Sequence, residues 1–589
     1  MVGEGPARGA WRRALALATL AGALLLLNAA LTFHNVWPTP AIELRGEWSV
    51  ELALLVLALA GWSTWRGVPG RRALTALGAV AVLFALARYA EVTAPALYGR
   101  SVNLYWDARH VGGAVAMLVQ VAPAWQLVLA LLVTGAALGG ALLLLRACIA
   151  RLARALDPAP RGRLAAATRV ALVAAAAGAL ALFAADRAGA PLPATLARFS
   201  IPVTQTWARQ VALLVGSWRT MREAGGLAAG ASAAGGLPDA VAMPALRRVA
   251  GTALDDVYVV FVESYGAVAW QRPDIAARLR ASREALARAI AGSGRAVVSA
   301  WVRSPTFGSG SWLAHASLLA GAEVVDGDAY ARLLLRPRTT LGDVFRGGGY
   351  RVLALMPGLK QAWPEGDYFR FDAIYGEAAL DYHGPEFGWW RIPDQYALAR
   401  LDVLEPRAPA GAPRFVFFPT ISSHVPFRPT PPYQPDWSRL TGRNPYGAEA
   451  AQAIAQAPQW TRLGPAYADS LGYAQRTLAG YLERHAGEPL VMLVLGDHQP
   501  PTAVSGAGAT HDVPVHVIAD RPEVLEALLA RGFVPGLDPR GVAIGPMHRL
   551  GPLLVEAVGA APPAAPPMRA ARTGRAAQGL AVAPATLPN

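Results

Sequence analysis

Cysteine and lysine are almost missing from this 589-residue chain. One cysteine, Cys148, and one lysine, Lys360, are present. A single thiol excludes an intramolecular disulfide and any thiolate metal cluster, so an extracytoplasmic part has to be stable without covalent staples. Charge is scarce too. Charged residues make up 16% of the chain against 54% hydrophobic, with a mean hydropathy of +0.30. That is too apolar for a wholly soluble enzyme and too polar for a pure transporter; a membrane part joined to a soluble part satisfies both. The net charge of +14 is carried by arginine. Many of these arginines fall in short loops between apolar segments, so an anionic membrane surface explains them better than a nucleic acid.

Five apolar segments stand out: 14–33, 49–65, 73–89, 122–145 and 164–185. Each approaches or exceeds the ~20 residues needed to span a hydrocarbon core. The first follows Arg8, Arg12 and Arg13 and reads as an uncleaved anchor rather than a removable signal. Basic residues concentrate before segment one, between two and three (Arg66, Arg71, Arg72), and between four and five (Arg146, Arg151, Arg154, Arg161, Arg163). The positive-inside rule then puts the N-terminus in the cytoplasm and, after five crossings, everything beyond Asp186 outside it. No charged residue is expected near a midplane, which disfavours an ion-coupled transporter. In the third loop, Tyr105, Trp106, Asp107, Arg109 and His110 read as an interfacial belt, with contact to a lipid substrate as the second reading. Residues 195–221 carry an amphipathic pattern suited to the outer boundary. The stretch 225–236, rich in Gly, Ala and Ser, reads as a linker.

The soluble half alternates strand and helix patterns. Its organising stretch is Val257–Gly266, a β-branched and aromatic run ending at Glu263. A run apolar throughout predicts a strand covered on both faces, hence a mostly parallel sheet. Further strands are predicted at 296–302, 351–356, 415–419, 490–495 and 515–519, with helices at 274–291, 312–319 and 340–346. In open α/β sheets, chemistry is done at the carboxyl ends of the strands. Four such ends carry chemical groups: Glu263; the turn 304–311 ending in Ser311 at a helix start; His424 in Thr-Ile-Ser-Ser-His; and Gly496-Asp497-His498. Each has a plainer reading. Glu263 can cap a turn, and Ser311 can be an ordinary helix N-cap. Together, carboxylates and an imidazole beside a hydroxyl suit a divalent cation that activates the hydroxyl. The loop 357–388, long and aromatic around Trp363, is a further candidate surface.

In these motifs the chain resembles the sulfatase-like branch of the alkaline phosphatase superfamily, above all the membrane-bound lipoteichoic acid synthases and the phosphoglycerol transferases of periplasmic glucans. The resemblance lies in the five-segment architecture and in 257–319 and 491–517. It implies a five-helix membrane domain (1–190) and an α/β catalytic domain (251–560); composition places an interfacial helix and linker (191–250) between them and an Ala/Pro-rich tail (561–589), expected to be disordered, after them. It implies Glu263, Ser311, Asp497 and His498 as ligands of a divalent metal, manganese by preference with zinc or magnesium as alternatives. Ser311 would be the nucleophile, and His424, Trp363 and His511 would contact the substrate. The implied partners are a phosphatidylglycerol-like lipid donor and a glycan or polymer acceptor, at the outer face of a bacterial inner membrane. Three departures stand out. Serine replaces the usual threonine, His315 stands where an acidic residue is common, and Pro364-Glu365 follow Trp363 where relatives carry arginine. The formylglycine pattern of true sulfatases is absent, since Ser304-Pro-Thr-Phe does not fit it. Phosphoryl chemistry is therefore favoured, with a phosphoethanolamine transferase or a phosphodiesterase as alternatives within enzymes. The alternative of another class is an inactive scaffold for envelope assembly.

Overall fold

The structure is a computed structural model that describes residues 6–36, 39–98, 102–159, 163–193, 198–227, 239–247, 255–407, 411–457 and 462–560. Most of the expected linker, and the expected disordered tail, lie outside the described residues.

The N-terminal part is a multi-pass helical membrane domain. Helices α1 (Pro6–Thr32), α3 (Arg71–Tyr98), α5 (Ala124–Leu156) and α6 (Arg163–Arg187) are long and apolar enough to cross a membrane. The second expected segment forms α2 (Val50–Arg66), whose 17 residues are a slightly short span. At 1.5 Å per residue it reaches about 25 Å. Ser49 caps it by accepting from Leu52 N, and Glu51 starts its first turn. The helices pack through a stripe on α5, Leu145, Ile149, Leu152 and Leu156, against Leu20 and Leu27 of α1, Val56 of α2 and Leu74 of α3. A short hairpin, β1 (His34–Asn35) with β2 (Ile42–Glu43), follows α1. There Arg88 of α3 donates to Phe33 O and binds His34, which pairs with Glu47. Two further helices follow outside the five segments, α4 (Leu104–Val121) and α7 (Val203–Leu227). α4 occupies a stretch in which the sequence suggested only a loop.

The C-terminal part is a three-layer α/β domain around an eight-stranded sheet. Its strands are β3 (Asp256–Val262), β4 (Ala296–Arg303), β5 (Arg351–Leu355), β6 (Ala373–Tyr375), β7 (Arg414–Pro419), β8 (Leu490–Gly496), β9 (Asp512–Ala519) and β10 (Val534–Pro535), in the order β10-β4-β9-β8-β3-β7-β5-β6. Every residue of β3 and β8 is buried. Alternation sends Tyr258, Val260 and Val262 to one face, against α9 (Pro273–Gly292, after the short α8, Val268–Gln271) and the helix Leu463–Arg484. Val257, Val259 and Phe261 go to the other, against α10 (Ser311–Ala320) and the helix Leu550–Val558. Six strands run in one direction. β9 runs against both β8 and β4, which leaves β4 codirectional with β8. This antiparallel insertion brings the start of β9, with His511 just before it, to the edge where the parallel strands end.

Candidate active site

The register of the central strands builds the site. Val262 pairs with Gly496, so the next residues, Glu263 and Asp497, leave the sheet side by side. β7 pairs Pro419 with Phe261, which sets Thr420 and Ser423 against the same turn. Glu263 N donates to Thr420 Oγ1 at 3.1 Å, and Ser423 Oγ donates to Glu263 O at 2.7 Å. Ser264 adopts a positive φ of 59°, which turns the chain sharply behind the carboxylate. Its N–H donates to Asp497 Oδ1 at 2.7 Å and its hydroxyl to Glu263 Oε1 at 2.9 Å. Gly496 is required by close approach: a Cβ there would lie 1.8 Å from Tyr265 O.

Glu263, Asp497 and His498 are all buried, and one ligand atom from each lies within 4.8 Å of the others. His498 Nδ1 donates to Gln499 O at 2.7 Å. A carbonyl only accepts, so the proton sits on Nδ1 and the Nε2 lone pair faces the carboxylates. Nε2 lies 3.7 Å from Glu263 Oε1 and 3.6 Å from Asp497 Oδ2. Asp497 Oδ2 is buried without a hydrogen-bond partner. Burial, and then the charge of Glu263, pushes the Asp497 carboxyl up to about 6. His498 is desolvated, which acts against its charge, yet Asp497 and Glu263 raise it above its ordinary value. Among the described residues neither carboxylate is paired with an arginine or lysine. The opposite end of β3 differs: there Asp256 accepts from both Arg407 and Arg414. Two buried carboxylates, one of them with an orphaned oxygen, and a presented imidazole lone pair fit a divalent cation.

Ser311 is half-buried at the mouth of this cluster. Its hydroxyl donates to Glu263 Oε2 at 3.0 Å and lies 3.2 Å from His498 Nε2. It is the first residue of the ten-residue α10, behind Gly310 at φ 81°. The glycine lets the chain enter the helix from a left-handed turn and aims Ser311 at the cluster. The helix start adds free N–H groups and a positive field for an anion. Four residues on, His315 packs between Phe261 and Phe417, with ring centroids at 4.6 and 5.4 Å. Burial lowers it to about 4, so it is neutral.

The three expected substrate residues have different surroundings. His424 is half-buried, and its Nδ1 is 2.7 Å from Val425 O. Burial lowers its pKa; the hydrogen bond to Val425 O opposes this, His498 lowers it further, and Asp497 raises it. It lines a cleft with Phe387, Trp389, Trp390 and Arg428. Trp363 stacks on Phe369 at 5.7 Å in an aromatic cluster with Phe371. His511 is exposed; its carbonyl accepts from Ser304 N, and its ring lies 5.3 Å from that of Phe307. Among the described residues, no contact joins Trp363 or His511 directly to Ser311.

Sequence reading left out the supports of the site. Asp394, buried, accepts from Ile421 N and Ser422 N at 2.8 and 3.0 Å and so fixes the loop that carries His424. Its only sequence signal is Pro393-Asp394 at a helix start, which is too common to be informative. Thr420 and Ser423 stood in the quoted motif, but their roles depend on which strand lies beside them.

No protein-family model matches the chain, and no curated protein does. Among solved structures, it is similar to the integral membrane lipooligosaccharide phosphoethanolamine transferase A (EptA) of Neisseria meningitidis, at 14% identity over 91% of this chain and 95% of that one, with a TM-score of 0.44. It is also similar to the phosphoglycerol transferase GacH of Streptococcus pyogenes, solved with sn-glycerol-1-phosphate, at 12% identity over 60% and 87% with a TM-score of 0.31. A third is the lipoteichoic acid synthase LtaP of Listeria monocytogenes, at 12% identity over 45% of this chain and 65% of that one, with a TM-score of 0.32.

Proposed function

We propose that this protein is a membrane-anchored, metal-dependent phospho-transferase. It moves a phospho-group, in the first place phosphoglycerol from a phosphatidylglycerol-like lipid, to a hydroxyl of an envelope glycan or polymer. Its membrane domain (1–190), interfacial helix and linker (191–250) and catalytic domain (251–560) hold the active site at the outer face of a bacterial inner membrane. The observation that carries this reading is the position of the Ser311 hydroxyl, 3.0 Å from Glu263 Oε2 and 3.2 Å from His498 Nε2, at a helix start.

The chemistry runs through two displacements. Ser311 Oγ bonds to phosphorus as the bond from phosphorus to the diacylglycerol oxygen breaks, and that oxygen leaves with a proton. The acceptor hydroxyl then attacks phospho-Ser311, loses its proton, and Oγ is released. Glu263, Asp497, His498 and Ser311 would hold the divalent cation, manganese by preference, with zinc or magnesium as alternatives. When bound, it makes the serine hydroxyl easier to ionise and screens the phosphate charge. The start of α10 favours the same anion. His424, Trp363 and His511 are proposed as contacts of the head group, with His424 best supported because it lines a cleft beside the loop that holds Glu263.

Purified protein in vesicles carrying labelled phosphatidylglycerol or phosphatidylethanolamine tests the reaction and the head group together. Release of diacylglycerol from the first lipid and label on the protein after an acid quench are expected. Ser311→Ala should lose at least 1000-fold in turnover and all covalent label while retaining part of its metal. Undiminished turnover in that variant would sink the mechanism.

A further inference from the structure

The helix α4 belongs by sequence to the membrane half, yet it lies against the catalytic domain. Three contacts define it. Near its start, Trp106 Nε1 donates to Asp328 Oδ1 at 3.1 Å, and the indole lies 6.3 Å from Trp312, the residue after Ser311. The indole also rests on bare backbone: a Cβ on Gly327 would lie 2.2 Å from it. Near its other end, Met117 lines the cleft that holds His424, Trp389, Trp390 and Arg428. Trp106 and Met117 are eleven residues apart, so they lie about 20° apart around the helix and about 16 Å apart along it. One side of α4 thus runs from the neighbour of the nucleophile to the cleft.

The other side of α4 is apolar. Leu104, Val111, Val115, Leu118 and Val119 fall within about 100° of one another. They are between 42% and 60% exposed. A stripe of this size on a helix between two membrane helices, α3 and α5, has an obvious occupant. α3 ends and α5 starts on the same side of the bilayer, and lipid is what that surface meets. The cleft has its own ligand signal. Trp390 Nε1 is buried there with no hydrogen-bond partner among the described residues. It offers a donor, beside His424, to an oxygen-rich head group.

We infer that α4 is a membrane-seated wall of the head-group cleft: its apolar side lies in the outer-leaflet interface, and Met117 closes the cleft over His424. Trp106 latches it to the catalytic domain. The inference rests on the phospho-transfer reading for its substrate and adds where the substrate enters. A lipid head group comes up from the leaflet along α4, while its acyl chains remain beside the apolar stripe. Met117 thereby selects head groups from the membrane half of the chain.

Two measurements on the full-length protein in phosphatidylglycerol–phosphatidylcholine vesicles test it. In the first, Val115→Cys in a Cys148→Ser background is labelled with an environment-sensitive fluorophore. Blue-shifted emission, quenched by lipids brominated on the acyl chain and not by aqueous iodide, is expected. Quenching by iodide alone overturns the proposal, whatever the enzyme catalyses. In the second, Trp106→Ala and, from the catalytic side, Gly327→Ala are compared on vesicle phosphatidylglycerol and on soluble bis(p-nitrophenyl) phosphate. At least a tenfold loss of kcat/KM on the lipid with unchanged turnover of the soluble diester is expected from both. Equal losses on both substrates, or none on either, would overturn the latch. Met117→Trp should lower turnover of phosphatidylglycerol further, through a raised KM. If wild-type protein turns over neither substrate, the phospho-transfer reading fails, and the fluorescence arm still decides the seating of α4.

Discussion

Asp497 carries a testable consequence of its surroundings. Its carboxyl is raised to about 6, by burial first and by Glu263 second. A carboxyl raised in the fold prefers its proton there, so its contribution to stability is full below the free-aspartate value and is lost as pH rises through about 6. Cation-stripped protein should therefore melt lower at pH 7 than at pH 5, and Asp497→Asn should remove that part of the difference. Cation-loaded protein should show the opposite slope in this window, because bound metal requires the deprotonated acid. Calorimetry of both forms at the two pH values checks the sign. Metal uptake in equilibrium dialysis should weaken below about pH 6 for the same reason. Glu263, Asp497 and His498 were legible as a set because each ends or follows an apolar run. Asp394 was not, because its function is to hold two amides of a loop 27 and 28 residues away.

At the scale of the element, the site depends on close backbone contact between the turns after β3 and β8. Gly496 sits where any side chain would collide with Tyr265 O, and Gly266 where a Cβ would lie 1.9 Å from Gln499 Oε1. Gly496→Ala should separate the Glu263 and Asp497 turns. The expected outcome is folded protein with unchanged far-ultraviolet circular dichroism and at least a tenfold loss of metal affinity, read by metal analysis after dialysis. Full retention of metal would show that the strand ends tolerate the displacement. Six strands and three helices of this half were readable because unbroken β-branched and aromatic runs, helical spacing and glycine stops are local signals. The antiparallel direction of β9 was not, since direction is set by which strand it pairs with. α4 was missed for a related reason. Its apolar residues are separated along the chain by Asp107, Arg109 and His110, and what stabilises it, the seat on Gly327 and Asp328, lies more than 200 residues away.

For the whole molecule, orientation is the central expectation. Clusters of arginine alternate with acid-containing loops, and the positive-inside rule then predicts a cytoplasmic N-terminus and an outward-facing catalytic domain. A phosphatase reporter, active only outside the cytoplasm, should be active when fused after residue 187 and inactive when fused after residue 70. The reverse pattern would place the catalytic domain on the wrong side for an envelope substrate. The structure joins the two halves at more than one point: Thr502 donates to Ala96 O of α3, and Trp106 of α4 meets Asp328. The catalytic domain is thus held against the membrane half by contacts as well as by the chain.

The sequence by itself determined the division into a membrane part and an α/β part, and the residues able to hold a cation. Hydropathy, loop charge and apolar strand runs are local properties, and a carboxylate after an apolar strand falls at a sheet edge wherever that strand lies. Only the tertiary structure decided the rest. The pairing of Val262 with Gly496 set Glu263 beside Asp497, Gly310 turned Ser311 toward them, and the reversal of β9 brought His511 to the same edge. It also laid α4 from Trp312 to the His424 cleft. Each of these follows from strand order, register or the meeting of distant surfaces, and none of them leaves a periodic trace in the chain.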